Sequence, residues 1–429
     1  MNNNGYFNIS LGDDIKGMLQ LYEASFLLTQ GENVLELARE FASKILQEKI
    51  EDEGNNGNFD DEYLSLLVRQ ALELPLHWRI QRINATWFIN AYERRPDMNP
   101  LLLELAKLDF NIVQATHQQE LKHVSSWWKE TCLAEKLPFA RDWVVECYFW
   151  NFGAHIEPQY RYSRIMATKV SALITIIDDM FDVYGTFQEL QLFNNAIQGW
   201  DIEAMDKLPD YMQMCFLGLN NFIDEMAYHW ADYCRALLQE AEWCSRGYTP
   251  KLEEYINNAW MSISFRVILT HAFFSMTNPI EEETVQSLYK YHNIIRYSST
   301  IIRLANDLST SEDEMKKGDV PKSIQCYMNE TGASREEARE HIKFLMYEMW
   351  KKLNEERVAD SPFQSEFVKA TVDHVRMGLA VSMRVQGIAL EVTETSTSLY
   401  SSDPRPDKIC MTGSELGVVV TMVSLRCQQ

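Results

Sequence analysis

Long apolar runs, paired cysteines, strand-like alternation and positive charge are all scarce in this sequence of 429 residues. The longest apolar stretches, near residues 170–177 and 417–425, fall well short of the ~20 residues that span a bilayer, which excludes a membrane protein. The N-terminus, MNNNGYFNISLGDD, has neither a basic-plus-apolar signal pattern nor an Arg- and Ser-rich transit pattern, so a cytoplasmic product is expected as written. Eight cysteines are scattered without CxxC spacing or neighbouring histidines. That disfavours a zinc site and a disulfide framework, and fits a reduced compartment. The sequons at Asn8, Asn84 and Asn329 carry no weight without a secretory signal. Lys and Arg number 40 against 62 Asp and Glu, a net charge of −22. Such a chain is no partner for nucleic acid. It would also repel an anionic substrate unless cations mediated the contact.

Apolar residues, by contrast, make up 46% of the chain and aromatics 12%, enough for an ordinary globular core. The length allows two or three domains. Nearly every long segment reads at the helical period. Across residues 14–49, Ile15, Met18, Leu19, Leu21 and Tyr22, then Leu35, Leu37 and Phe41, recur on common faces. The acidic Gly/Asn stretch at 51–61 predicts a loop. Pro75, Pro96, Pro100 and Pro138 punctuate successive helices. An all-α fold follows. Every group that looks chemical lies downstream of about residue 120, and a domain boundary is expected near residues 118–122.

The most informative segment is KVSALITIIDDMFDVYG, residues 169–185. An apolar helix ends on Asp178, Asp179 and Asp182 before a glycine stop. Asp178 and Asp182, four residues apart, share a face. Acids at a helix C-terminus oppose the macrodipole unless a cation sits there. Mg²⁺, which takes one or two carboxylates and fills its octahedron with water and phosphate oxygens, meets that need. An acidic helix end facing solvent is the competing reading. The apolar helix before it argues for burial, and buried acids need partners.

A second signal lies in RLANDLSTSEDEMKKGDVPKS, residues 303–323. Asn306, Thr310 and Glu314 fall at i, i+4 and i+8 of one helix, an amide, a hydroxyl and a carboxylate that can chelate one Mg²⁺. Arg303 stands one turn upstream on the same face and Lys322 just beyond the helix, both suited to diphosphate oxygens. Taken alone, Asp307, Ser309, Ser311 and Asp313 read as a polar, capping helix end.

DDMFD followed by NDLSTSEDE within RLANDLSTSEDEMKKGDVPKSIQCYM resembles plant class I terpene synthases. LHWRIQRINATWFINAYE and NPLLLELAKLDFNIVQATHQQELK resemble the monoterpene synthase branch. The resemblance runs from about residue 5 to about residue 387. It implies a class I helical bundle preceded by a partial helical N-terminal domain, divided as residues 1–120, 121–395 and a divergent, poorly ordered tail at 396–429. It further implies that Asp178, Asp179 and Asp182 bind two Mg²⁺ ions and that Asn306, Thr310 and Glu314 bind a third, with Mn²⁺ as a substitute. Arg141, Arg303 and Lys322 match diphosphate-binding positions, and Trp150 an aromatic at the pocket floor. The implied reaction is ionisation of an allylic prenyl diphosphate, geranyl diphosphate foremost, to a carbocation that yields a monoterpene and diphosphate. A monomer is expected, and a plastid address if the native N-terminus is longer.

This chain departs from the family pattern in five places. Family N-terminal helices are missing ahead of it. Trp143 stands where an Arg-x-Arg pair has its second arginine. A loop is absent between Tyr228 and His229, and Phe265–Arg266 replaces a small residue with a helix break. Beyond Gly387 the lid-forming helices give way to a Ser/Thr-rich stretch and a β-prone run at 417–425. Each departure resembles an alternative splice form or an imperfect gene model, and the last weakens water exclusion.

Farnesyl diphosphate is the alternative substrate, and a catalytically impaired helical protein the alternative of another class. A chain-elongating prenyltransferase would want two aspartate-rich motifs, and no HxxxH face suggests a histidine-metal phosphohydrolase. Tyr148, Phe149 and Phe152 beside Trp150 read as core, as do Met18 and Met180; His155 and His271 read as structural.

Overall fold

The computed structural model describes residues 7, 12–56, 61–200, 202–220, 227–277, 281–317 and 321–385, with only the backbone at 54–56, 202–203, 220, 227–228, 282, 311–317 and 383–385. Among the described residues there is no β-strand, and the fold is all-α as the periodicity predicts. None of these helices is long and apolar enough to cross a membrane. The expected tail at 396–429, with the run at 417–425, lies outside the described residues.

The chain divides into two compact units, residues 1–111 with 350–360, and residues 112–349 with the remainder. The first holds α1 (Ile15–Ser25), α2 (Asn33–Asn56), α3 (Glu62–Glu73), α4 (Gln81–Glu93) and the start of α5 (Pro100–Thr131). The periodic segment 14–49 is therefore two helices. Asp14 caps the first, its carboxylate accepting from the Gly17 amide at 2.8 Å. Gly31, at φ +85°, sits in the turn before the second.

The loop predicted at 51–61 is helix as far as Asn56, and residues 57–60 lie outside the described residues. Its acidic end has partners: Glu53 accepts from Ser65 and pairs with Arg69 at 2.7 Å, tying α2 to α3. Pro100 opens α5, where a missing amide N–H costs nothing.

The second unit carries α6 (Leu133–Lys136), α7 (Val144–Phe152), α8 (Arg161–Asp179), α9 (Phe187–Gly199), α10 (Ile202–Met205), α11 (Asp210–Asn220) and α12 (Ala227–Ser245). Then follow α13 (Leu252–Ser262), α14 (Phe265–Met276), α15 (Glu282–Tyr289), α16 (Asn293–Lys317), α17 (Ser323–Thr331), α18 (Arg335–Val358) and α19 (Ser365–Val385). Helix α5 is continuous through residues 118–122.

α8 is buried along nearly its whole length and packs against α7 and α14, while α16 packs against α19. One buried ion pair fixes this core. Arg164 on α8 donates Nε–H and Nη2–H to Glu120 of α5, both at 2.7 Å, and the Tyr148 hydroxyl of α7 donates to the same carboxylate at 2.9 Å. Both Glu120 oxygens accept hydrogen bonds, and the Arg164 guanidinium matches its charge in the buried pair. Tyr148, Phe149, Phe152, Met18 and Met180 are buried, as read from the sequence.

Candidate active site

A cavity of about 370 Å³ opens within the second unit. Three helix segments meet there: the C-terminus of α8, the middle of α16 and the start of α17. Asp178, Asp182, Asn306, Thr310, Arg141, Arg303 and Lys322 all line it. Ile174, Leu237, Phe265, Ile268, Ile302 and Trp150 supply its apolar wall.

α8 stops at Asp179, and the chain continues as one π-helical turn, Met180–Tyr184. The wider turn changes the expected i,i+4 geometry of Asp178 and Asp182. Such turns gather at functional sites. Gly185 is no left-handed stop, its φ being −75°. Its glycine answers crowding instead, since a Cβ there would meet Leu190 Cδ2 at 2.7 Å and the Met180 carbonyl at 3.0 Å.

The three aspartates differ. Asp182 is exposed at the cavity mouth. Asp178 accepts a hydrogen bond from the Tyr233 hydroxyl of α12. Burial pushes its carboxyl up to about 6, against the pull of Tyr233 and Arg141. Asp179 is buried and engaged at both oxygens by Arg141, whose backbone N–H and Nε–H each donate at 2.7 Å. The Arg141 guanidinium lies over the Trp143 ring at 4.2 Å. Trp143, the replacement for a second arginine, thus gives the first one a π face to rest on.

On α16, Asn306 and Thr310 reach the cavity one turn apart, the Thr310 hydroxyl donating to the Asn306 carbonyl at 3.1 Å. Glu314 has its backbone in the same helix, and its side chain lies outside the described residues. Arg303 donates Nε–H to Asp307 at 2.8 Å and to the Tyr255 hydroxyl at 2.9 Å. Asp307 is fully buried, and it also accepts from the Tyr255 hydroxyl at 2.9 Å and the Ser323 amide at 3.1 Å. Lys322 pairs with buried Glu240 at 3.6 Å, and Glu240 accepts from Ser262.

The remaining wall adds no positive charge. His374 donates Nδ1–H to the Ala370 carbonyl at 2.9 Å, and burial pushes its imidazole down to about 4. The Cys147 thiol is pushed up to about 12 by burial. His155 and His271 are buried core histidines, His271 donating to the Val267 carbonyl at 2.8 Å. Gly378 lets α19 lie close to Trp150 and Ile302, whose Cη2 and Cγ1 atoms stand 3.6 and 3.1 Å from where a Cβ would be.

At Phe265–Arg266 the helix break survives, with Ser264 at φ +63° between α13 and α14. Phe265 faces the cavity. Arg266 is buried and donates to the Tyr291 hydroxyl at 2.6 Å and the His229 carbonyl at 3.1 Å.

The donors facing the cavity are carboxylate, amide and hydroxyl oxygens, the ligand chemistry of a hard cation. Among the described residues no group of three His, Cys, Asp or Glu could enclose a metal ion. This donor set fits Mg²⁺, which keeps waters and borrows phosphate oxygens from a substrate, better than a metal that demands a complete protein cage.

Residues 169–352 match the family model described as terpene synthase family 2, C-terminal metal binding, and residues 1–72 match the terpene synthase N-terminal domain. The chain belongs to the terpene synthase family. It is 52% identical over 413 residues to (-)-alpha-terpineol synthase of Vitis vinifera, spanning 92% of this chain and 69% of that protein. Myrcene synthase of Quercus ilex, named as chloroplastic, is 52% identical over 92% of this chain and 68% of its own length.

Among solved structures, limonene synthase with 2-fluorolinalyl diphosphate matches with a TM-score of 0.86 at 52% identity, over 89% of this chain and 72% of that one. Isoprene synthase from grey poplar, in complex with three Mg²⁺ ions and dimethylallyl-S-thiolodiphosphate, matches with a TM-score of 0.83 at 42% identity, over 89% and 75%. As a terpene synthase the chain is a lyase that acts on prenyl diphosphates, and its C-terminal domain is of the metal-binding kind.

Four side chains of this synthase belong to neither metal-binding pattern. Asp307 reads in the sequence as part of a polar, capping helix end, although its place four residues after Arg303 is the spacing of a helical ion pair. Tyr233 and Glu240, seven residues apart on α12, belong to no motif, and neither does Tyr255.

Proposed function

We propose that this terpene synthase ionises geranyl diphosphate to an allylic carbocation and releases a monoterpene and diphosphate, with three Mg²⁺ ions as cofactor. The observation that carries the reading is one cavity lined both by oxygen donors and cations (Asp178, Asp182, Asn306, Thr310, Arg141, Arg303 and Lys322) and by Trp150, Ile174, Leu237, Phe265, Ile268 and Ile302. Its volume of about 370 Å³ lies near the lower end of the ~300–1,000 Å³ range of ligand pockets. A ten-carbon chain is the proposed occupant. The terpineol and myrcene synthase relatives, and limonene synthase with its linalyl analogue, support the same choice. The three ions of isoprene synthase support the cofactor.

Asp178, Asp179 and Asp182 are the proposed ligands of two ions and Asn306, Thr310 and Glu314 of the third. When bound, Mg²⁺ supplies Lewis-acid neutralisation of the leaving diphosphate. Arg141, Arg303 and Lys322 grip the diphosphate oxygens with charge-assisted hydrogen bonds. The Trp150 face, with its negative quadrupole, stabilises positive charge on the hydrocarbon. The apolar wall keeps water from quenching it. His374 and Cys147, whose charged forms burial disfavours, add no charge of their own to the lining at neutral pH.

Residues 121–395 form the proposed catalytic domain, which contains every named lining residue; residues 1–120 form the partial N-terminal domain, and 396–429 the tail. A monomer is proposed. A plastid location is proposed on the chloroplastic names of several relatives.

The test is incubation of purified protein with Mg²⁺ and either geranyl or farnesyl diphosphate, with the volatiles read by gas chromatography–mass spectrometry. A ten-carbon product from geranyl diphosphate is expected. Turnover of farnesyl diphosphate alone would overturn the substrate, and no product from soluble, helical protein would overturn the activity.

A further inference from the structure

Buried polar groups are as a rule hydrogen-bonded, and two residues of the cavity lining break that rule. The Asn151 carboxamide oxygen and the His374 Nε2 atom are buried without a partner. Asn151 is 1% exposed and His374 2%. They come from different helices, α7 and α19. Gly378, one turn beyond His374, lets α19 approach Trp150, the chain neighbour of Asn151.

The surroundings fix which end of each side chain is left over. Asn151 donates Nδ2–H to the Cys147 carbonyl at 2.7 Å and to the Ser171 hydroxyl at 2.9 Å. A carbonyl can only accept, and the Ser171 proton is already committed to the Ala167 carbonyl at 2.9 Å. The amide therefore cannot be turned round, and its oxygen is the end without a partner. With both amide hydrogens engaged, that oxygen is polarised further. His374 obeys the same logic. Its Nδ1–H goes to the Ala370 carbonyl, so Nε2 of the neutral ring carries a lone pair. Burial, which pushes the imidazole down to about 4, keeps the ring neutral. The ring packs against His155 and Phe265, with centroids 5.3 and 5.5 Å away.

Both leftover atoms are acceptors. Lone pairs buried without donors destabilise an empty wall. Both atoms are also too buried for a water in the cavity to touch. The field of a dipole, by contrast, crosses a low-dielectric wall without contact. We propose that Asn151 and His374 form a cation subsite in the cavity wall, where their unshared lone pairs stabilise a positive charge that has no N–H or O–H to donate, as on a carbocation or a quaternary ammonium group. This deepens the proposed function and rests on it for the source of the charge, though not for the subsite itself. Neither residue is charged, so the subsite acts only once charge develops on the hydrocarbon. Fixed dipoles in a water-excluded site need no reorganisation as it appears.

The test uses two probes of the same shape, cyclohexyltrimethylammonium and its uncharged isostere tert-butylcyclohexane. Each is titrated into purified protein with Mg²⁺ and inorganic diphosphate present. Tryptophan fluorescence follows binding, since Trp150 lies in the lining. Wild type should prefer the ammonium. Asn151→Leu keeps the shape without the oxygen, and His374→Phe keeps a ring without the lone pair. Each should weaken the ammonium about ten-fold and leave the isostere within about two-fold, the lower end of what a polar partner gives a buried charge. With geranyl diphosphate, Asn151→Leu should lower kcat about ten-fold and leave KM within about two-fold, because the charge is absent from the ground state.

Circular dichroism checks that each variant is folded, and either variant decides if the other does not fold. Wild-type preference for the isostere overturns the subsite. So does an equal loss of both probes, which marks a change of shape alone. Loss of alcohol products in Asn151→Leu with unchanged ammonium affinity also overturns it, in favour of a held water. Folded wild type that turns over no geranyl diphosphate overturns the proposed function instead, and the two probes still decide the subsite.

Discussion

Asp178 is the residue where site chemistry and stability pull in opposite directions. Its carboxyl is pushed up to about 6 in the folded protein from an ordinary 3.8. The raised value means that folding costs free energy once the group ionises. The cost grows as pH rises from about 4 and is complete above about 6. Asp178→Asn should therefore raise the melting temperature of the cation-free protein at pH 7.5, by the equivalent of ~3 kcal/mol, and change it little at pH 4. The same variant should lower kcat/KM more than ~100-fold, about 2.7 kcal/mol of transition-state stabilisation. At limiting Mg²⁺, wild-type turnover should fall as pH drops below about 6, because protons then compete with the cation for Asp178. Paired melting curves and steady-state rates check all three.

Tyr233→Phe removes the hydroxyl that orients Asp178. It should raise the Mg²⁺ concentration for half-maximal binding about ten-fold, as loss of a ligand's supporting hydrogen bond does. Asp178 itself was legible because acids at the end of an apolar helix are costly without a partner. Tyr233 was not, since a tyrosine on a buried helical face carries no mark of which hydroxyl it will meet.

Among the elements, the π-helical turn Met180–Tyr184 and the glycine after it set where Asp182 stands relative to Asp178. Spacing alone could not reveal that turn, because an Asp four residues after another fits an α-helix equally well. Gly185→Ala keeps an allowed backbone but forces a Cβ to 2.7 Å from Leu190 and 3.0 Å from the Met180 carbonyl. An overpacking cost of about 1–3 kcal/mol is expected. Turnover should fall with it because the turn that carries Asp182 must shift. Thermal melting and rate measurements separate the two effects. The break between α1 and α2 was hidden for a related reason: residues 14–25 and 33–49 share a helical pattern, and Gly31 interrupts the chain without interrupting the pattern. The extension of α2 to Asn56 depended on Glu53 finding Ser65 and Arg69 on α3, a contact that spacing within one helix does not encode.

At the scale of the whole molecule, a chain of net charge −22 gathers Arg141, Arg303 and Lys322 around one cavity with their positive charge already matched by carboxylates. Divalent cations together with diphosphate should stabilise such a protein strongly, by ~2.7 kcal/mol at a hundred times the dissociation constant. For a chain of this size that is a rise of several degrees in melting temperature. Mg²⁺ with inorganic diphosphate should produce it, either alone should give much less, and EDTA should reverse it. Differential scanning fluorimetry checks the effect. The all-α architecture was readable from helical periodicity and the near absence of alternating runs. The return of residues 350–360 to the N-terminal unit was not, because it rests on contacts such as Trp350 stacked on Trp78 at 5.5 Å. Those partners lie far apart in sequence and share no pattern.

Gly378 opens a path that selection could follow. Its hydrogen sits where a methyl group would press on Ile302 and touch Trp150, two residues of the hydrocarbon wall. A single nucleotide change at a glycine codon can supply that methyl group or something larger. Descendants of this gene can thus resculpt the space that folds the carbocation while every charged side chain stays in place, so product diversity among relatives can drift faster than the machinery that starts the reaction.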